Sequence, residues 1–310
     1  MNSIADKLAR SWRLFTTSVT VIRSHPKLLV FPFVTGLLTT LIALFFLAPV
    51  ALLFLAPHWL HGGPFQFFAA PTRFLHGHHG ASFNAQLQPL SGLLVAGMYL
   101  LNMFLATLSS VAFNSEILEA LSGRPVSIQH GLEVALHRWK TVLLWSLLAG
   151  TVGLLIRALE ERMNFLGRLV TGMIGLAWSV ASIFAIPVLI REPSLANPFA
   201  VLSKSAKTIQ ATWGEMLAGY LGMQGTNLLV LWGSVAYWLA NGALAFALSK
   251  PLLLLVALVP WLLFLVLYGY VASVASRVYL CALYLYASEG AVPGPFDASM
   301  MTMAFKPKKS

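Results

Sequence analysis

Long apolar runs return six times along this chain, and between them the polar positions gather into short basic stretches. The run from Val30 to Ala56 holds 27 residues without a charge, whereas a bilayer's hydrocarbon core needs only about 20 helical residues to be crossed. Similar runs fall within 90–113, 141–159, 169–190, 216–248 and 252–276. With no water in the bilayer to satisfy peptide groups, runs of this length can only be helices. The pattern predicts an all-α polytopic membrane protein with about six transmembrane helices, at 30–56 and at the five ranges just given. The whole of 1–310 then forms one membrane domain. Residues 57–89 make an external loop and 287–310 a tail. The shortest span is the third: its apolar run from Thr141 to Ile156 reaches crossing length only by continuing to Leu159, with Arg157 extending to the interface.

The segments between spans carry a second pattern. Ile4, Leu8, Trp12, Phe15, Val19 and Ile22 recur at helical spacing opposite Lys7, Arg10, Arg13 and Arg23. That is the signature of an amphipathic helix over 1–27 lying on a bilayer surface, its basic face towards anionic headgroups. It lacks the short apolar core and small-residue cleavage site of a secretory signal. A mitochondrial transit peptide shares the basic amphipathic character, but the device recurs. Ile128, Leu132, Leu136 and Trp139 repeat it beside His130, Arg138 and Lys140. Phe199, Leu202, Ala206, Ile209 and Trp213 repeat it beside Lys204, Lys207 and Gln210, after Asn197-Pro198, a capping Asn with Pro at the first helical position. The expectation is three units, each a cytoplasmic amphipathic surface helix followed by a helical hairpin.

Charge sets the orientation. The chain is 58% hydrophobic and 10% charged, with a formal net charge of +10. Of its 20 Lys and Arg, 14 fall on one side of the six-span arrangement: before span one, between spans two and three, between spans four and five, and in the tail. Short basic loops stay cytoplasmic, so both termini are expected inside. Charges spread over juxtamembrane segments point to a lipid bilayer with anionic headgroups as the partner and away from nucleic acid. The headgroup candidates are Lys7, Arg10, Arg13, Arg23, Lys204 and Lys207. The single cysteine, Cys281, allows no internal disulfide and reads as a small buried hydrophobe.

Several stretches carry a resemblance. Ser11-Trp12-Arg13-Leu14-Phe15, Phe31-Pro32, Leu159-Glu160-Glu161-Arg162, Leu166-Gly167-Arg168-Leu169-Val170 and Gly175-Leu176-Ala177-Trp178-Ser179 resemble a bacterial six-span integral membrane family catalogued as a domain of unknown function. Lys204-Ser205-Ala206 and Thr212-Trp213-Gly214-Glu215 do so too. The resemblance covers most of the chain, with the first loop and the tail poorly matched. It implies six spans in a bacterial inner (cytoplasmic) membrane and transfers no activity and no functional residue. More distantly, the pattern of surface helix plus hairpin is similar to the non-catalytic membrane domain of glycerophosphodiester phosphodiesterases.

Candidate chemistry is sparse. His58, His61, His76, His78 and His79 share the first external loop, and neutral imidazole is a common ligand for zinc, copper and nickel. The loop has no Asp, Glu or Cys and no motif such as HExxH, so these are weak candidates and no metal or cofactor is assigned. Within the spans, Gln224, Thr226 and Asn227 stand beside Gly219, Gly222 and Gly225, with Asn102 in span two as a plausible amide partner. Glycines three apart admit a neighbouring helix closely, and amides can then bond across the contact; a broken helix around a ligand site would use the same residues. Glu160, Glu161 and Arg162 read as a solvated turn, since adjacent carboxylates do not share a helix face. Tyr268, Tyr270, Tyr279, Tyr284 and Tyr286 read as interfacial aromatics. No nucleophile–base pair, phosphate loop or dinucleotide fingerprint is present, so the expectation is a non-enzyme. Two functions remain: an envelope protein that organises lipid or partners, with a homo-oligomer or membrane partner as candidate associations, and a transporter or channel for ions or small solutes.

Overall fold

The computed structural model of the protein describes residues 4–55 and 83–297, and in some helical stretches such as 211–225 it describes the backbone alone. Among the described residues every regular element is a helix. In chain order these are α1 (Ile4–Ser24), a 3-10 turn (Pro26–Leu29), α2 (Val30–Leu55), α3 (Phe83–Leu121), α4 (Ile128–His137), α5 (Trp139–Arg162), α6 (Phe165–Ala181), α7 (Ala185–Arg191), α8 (Pro198–Ala247) and α9 (Leu252–Glu289).

Local chemistry explains the boundaries. His25 precedes Pro26, which disfavours helical backbone, and the axis turns by 104° between Trp12–Ser24 and Pro26–Ile42. Helices α4, α6 and α8 begin on side chains that accept otherwise unpaired amides. Ser127 Oγ accepts from His130 N at 3.5 Å, Asn164 Oδ1 from Gly167 N at 3.2 Å and Asn197 Oδ1 from Phe199 N at 2.9 Å. Gly290, at φ 66°, closes α9 in the left-handed conformation that glycine adopts without cost.

Several helices depart from the extents their apolar runs predict. The segment expected over 169–190 is two helices, α6 and α7, separated by a turn at 182–184. Span three has room to cross: α5 holds 24 residues. The third amphipathic segment and span five are one uninterrupted helix, α8, of 50 residues. At about 1.5 Å per residue that is roughly 75 Å, more than twice a hydrocarbon core of about 30 Å. Helix α9 likewise runs past 276 to Glu289, and α3 past 113 to Leu121. Four helical stretches, α5, α6 taken with α7, part of α8 and the whole of α9, are long and apolar enough to cross a membrane, or up to five if the bent α1–α2 pair counts as one span. Among the described residues, six are not reached.

The core sits at one end of the bundle. Its buried side chains come from where helices enter or leave: Leu28 and Phe31, Val111 to Leu121, Val142 and Trp145, Phe184 to Leu189, Val201 and Ile209, and Val274 to Leu285. Helix α3 is the hub, touching α2, α4, α5, α7 and α9. Lys27, Arg124, Arg138, Arg191, Lys204 and Arg277 belong to the same ends of the helices, so this is the basic end of the molecule. Away from it the apolar residues face outward. Leu176 is 66%, Leu239 70% and Phe246 88% exposed. Apolar surface on that scale is costly in water and costs nothing against lipid.

Candidate functional site

The polar residues of span five gain a partner from α9. Thr226 is buried on α8, and the Tyr268 hydroxyl lies 3.0 Å from its Oγ1 and 2.8 Å from Asn227 Oδ1. One phenolic proton serves the amide oxygen, and the threonine hydroxyl can donate back to the phenol. Phe15 of α1 packs its ring 6.1 Å from that of Tyr268, so α1, α8 and α9 converge here. A cavity of about 290 Å³ opens beside the contact, and its lining includes Thr226, Asn227, Tyr268, Ser273, Ser276 and Tyr279.

Thr226 also lines a second cavity of about 380 Å³, on the side away from the basic end. Its walls are mostly apolar, with Trp12 from α1, Leu229 and Val230 from α8, and Pro260, Trp261 and Phe264 from α9, beside the hydroxyls of Ser234 and Tyr237. Pro260 removes one amide from the helical ladder, and the Tyr237 hydroxyl donates to the nearby Ala257 carbonyl at 2.8 Å. Trp261 packs edge-on against Trp238 at 5.4 Å, and its indole N–H is buried with no acceptor among the described residues. The two cavities form one groove along α8 and α9, hydroxyl-lined towards the basic end and aromatic beyond it.

At the basic end a carboxylate is fully buried. Glu116 of α3 is 0% exposed; it accepts from Ser127 N at 2.6 Å and lies 2.7 Å from His130 Nδ1. The approach of α4 to α3 needs a glycine. A Cβ on Gly131 would stand 2.7 Å from the Ala112 carbonyl oxygen and 2.9 Å from Glu116 Cγ. Around this pair the polar contacts continue: Cys281 Sγ to Asn114 Oδ1 at 3.1 Å, Arg191 to Glu289 at 3.7 Å, and Arg124 with Glu119. Arg138 donates to the Leu189 carbonyl, satisfying the end of α7. Burial pulls its guanidinium pKa below the ordinary value. The apolar runs do not single out these residues: span two as predicted ends at Phe113, three residues before Glu116. The legible signal is the apolar pair Ile117-Leu118 beyond Asn114-Ser115-Glu116, followed by Pro125-Val126-Ser127 as a turn and cap.

The residues singled out in the sequence are dispersed. Thr226 and Asn227 meet Tyr268; Gln224 lies on α8 in a stretch whose side chains are outside the described residues, and Asn102 is half-buried on α3. Lys7 and Arg10 lie on α1 with side chains outside the described set, while Arg13, Arg23 and Lys207 are exposed. Lys204 is paired with Glu192 at 3.0 Å. Glu161 pairs with Arg157 at 3.3 Å on the exposed end of α5. His58, His61, His76, His78 and His79 lie outside the described residues, as does the tail beyond 297. Among the described residues no group of three or more His, Cys, Asp or Glu could hold a metal ion.

Apolar helices of this length, joined in a compact core at one end and bare along the rest, define an all-helical membrane protein. Within that class, the chain belongs to a family of unknown function (DUF6159), matched over residues 91–294. The stretches between Leu159 and Glu215 quoted above fall inside that match, and Ser11 to Phe15 and Phe31-Pro32 fall outside it. No curated protein and no solved structure matches the chain.

Proposed function

We propose that this chain is a non-enzymatic protein of a bacterial cytoplasmic membrane that organises lipid, with both termini and the basic end on the cytoplasmic side. The observation that carries the reading is the separation of packing from apolar surface. Only 6% of the most apolar window of α9 is buried inside the protein, and the same holds for the span of α8. A transport pathway within one chain needs spans that enclose a route; these spans instead offer their sides to lipid. Further support comes from the C-terminal end of α1 at the basic end, where Val21 and Ile22 are buried and Arg23 is exposed, as a helix end between a protein face and anionic headgroups requires. The distant likeness to a non-catalytic membrane domain fits the same role.

The second reading is a route for ions or small solutes built between copies of the chain. The hydroxyl-lined part of the groove, with Thr226, Asn227 and Ser273, favours it. One experiment separates the two: the full chain reconstituted into vesicles containing a fluorescent anionic phospholipid and an entrapped ion indicator. Lipid organisation requires slowed or clustered anionic lipid with ion leak equal to that of protein-free vesicles. A leak that Asn227→Leu removes would overturn it in favour of the route.

A further inference from the structure

We infer that the groove between α8 and α9 is a seat for one anionic phospholipid of the leaflet nearest the basic end. The inference rests on the lipid-organising reading above and names the ligand and its place. From Pro260 to Tyr279 the groove runs roughly 28 Å along α9, at about 1.5 Å per residue. One leaflet of hydrocarbon is about 15 Å deep, so the groove is long enough for an acyl chain and a headgroup in line. Its chemistry changes at the right place. The far part is lined by Trp12, Leu229, Trp261 and Phe264, and the near part by Thr226, Asn227, Ser273 and Ser276.

The charge beside the groove suits an anionic headgroup. Among the described residues neither cavity is lined by a carboxylate, and the next residue after Ser276 is the exposed Arg277, which lines neither cavity and lies with its guanidinium 5.7 Å from the Phe113 ring centre of α3. Ser273 and Ser276 now donate to the Tyr270 and Ala272 carbonyls of their own helix. Such back-bonds contribute little to helix stability, so both hydroxyls can turn to a phosphate oxygen.

Two glycines in the walls make the test specific. Gly233 lines the far cavity and Gly269 the near one, and a Cβ at either meets nothing within 4 Å. Leucine at each therefore fills the groove without breaking a packed contact, and it improves helix propensity. Gly242 is equally open but lines neither cavity, so Gly242→Leu is the control.

The experiment labels the full chain, purified in detergent, with phosphatidylglycerol carrying a photoactivatable acyl chain, and maps the adducts. We expect adducts concentrated on the α8 and α9 groove residues over the equally lipid-exposed face of α6 at Leu169 to Leu176. Gly233→Leu and Gly269→Leu should each lower groove labelling about tenfold, equivalent to 1.4 kcal/mol, while Gly242→Leu leaves it unchanged. Unlabelled phosphatidylglycerol should compete and phosphatidylcholine should not. Labelling spread evenly over α6 and the groove, or unaltered in both filled variants, overturns the seat. If the wild-type chain still clusters anionic lipid in vesicles in that case, the broader reading stands without it. Loss of a dimer in the filled variants, in place of lipid adducts, assigns the groove to a second copy and also overturns the lipid.

Discussion

The carboxylate of Glu116 on α3 and the imidazole of His130 on α4 meet at 2.7 Å, with the same carboxylate accepting the Ser127 amide at the start of α4. One side chain thus caps a turn and clamps two helices. Removing it leaves the half-buried Ser127 amide without its acceptor and the exposed His130 imidazole to water, a loss of about 1 kcal/mol. Glu116→Ala should accordingly lower the thermal unfolding midpoint in detergent, and Glu116→Gln should lower it less, because an amide oxygen can still accept. Equal and negligible shifts for both would show that the clamp does not hold the fold.

Gly131 and Gly172 offer a paired test of where the packing lies. Alanine at Gly131 drives a methyl into the Ala112 carbonyl and the Glu116 side chain, and such overpacking costs about 1–3 kcal/mol. Alanine at Gly172 meets nothing within 4 Å and should stabilise by about 0.5–1 kcal/mol through helix propensity. The prediction is therefore opposite signs from the same chemical change, read by thermal unfolding of the two variants side by side. Matching signs would contradict a core confined to the basic end.

The helical class was legible in the sequence because an apolar run in a bilayer has no other solution. So was the start of α8, where Asn197 and Pro198 act through local chemistry alone. What runs could not disclose is how far helices continue once their residues turn polar. Helix α9 carries Arg277 and Glu289 past its apolar stretch because α3 and α7 supply partners for them, and those partners are distant in sequence. Tyr268 shows the same limit at the groove. By composition it is an interfacial aromatic, yet its hydroxyl is engaged by Thr226 and Asn227 across 42 and 41 positions of chain. The choice between interface and neighbour is made by tertiary contact, which no spacing encodes.

The basic face of α1 can be weighed on its own. A Lys or Arg near an anionic surface contributes about 1 kcal/mol. Replacing Lys7, Arg10 and Arg13 together with Gln in a peptide covering 1–24 should weaken its binding to anionic vesicles on the order of a hundredfold at low salt. The difference should shrink as salt is raised, because the contributing charges are exposed. Partition that ignores both the substitutions and the salt would strip the electrostatic part from the headgroup assignment and leave only the apolar face to hold the segment.

Tyr268 decides whether the polar centre of α8 packs or conducts. Its hydroxyl lies against Thr226 and Asn227 at 3.0 and 2.8 Å, so the phenol-to-phenyl change removes both contacts and little else. Interhelical polar contacts in membranes are worth about 0.6–2 kcal/mol. Tyr268→Phe should therefore lower the unfolding midpoint modestly while leaving ion leak in reconstituted vesicles at the protein-free level. Asn227→Leu should do the same, since an apolar side chain on a lipid-exposed position is tolerated there. A route lined by these residues would behave in the opposite way: removing the hydroxyl or the amide would change flux and barely touch stability. The two measurements on the same two variants thus divide the readings, because packing moves the melting curve and conduction moves the leak.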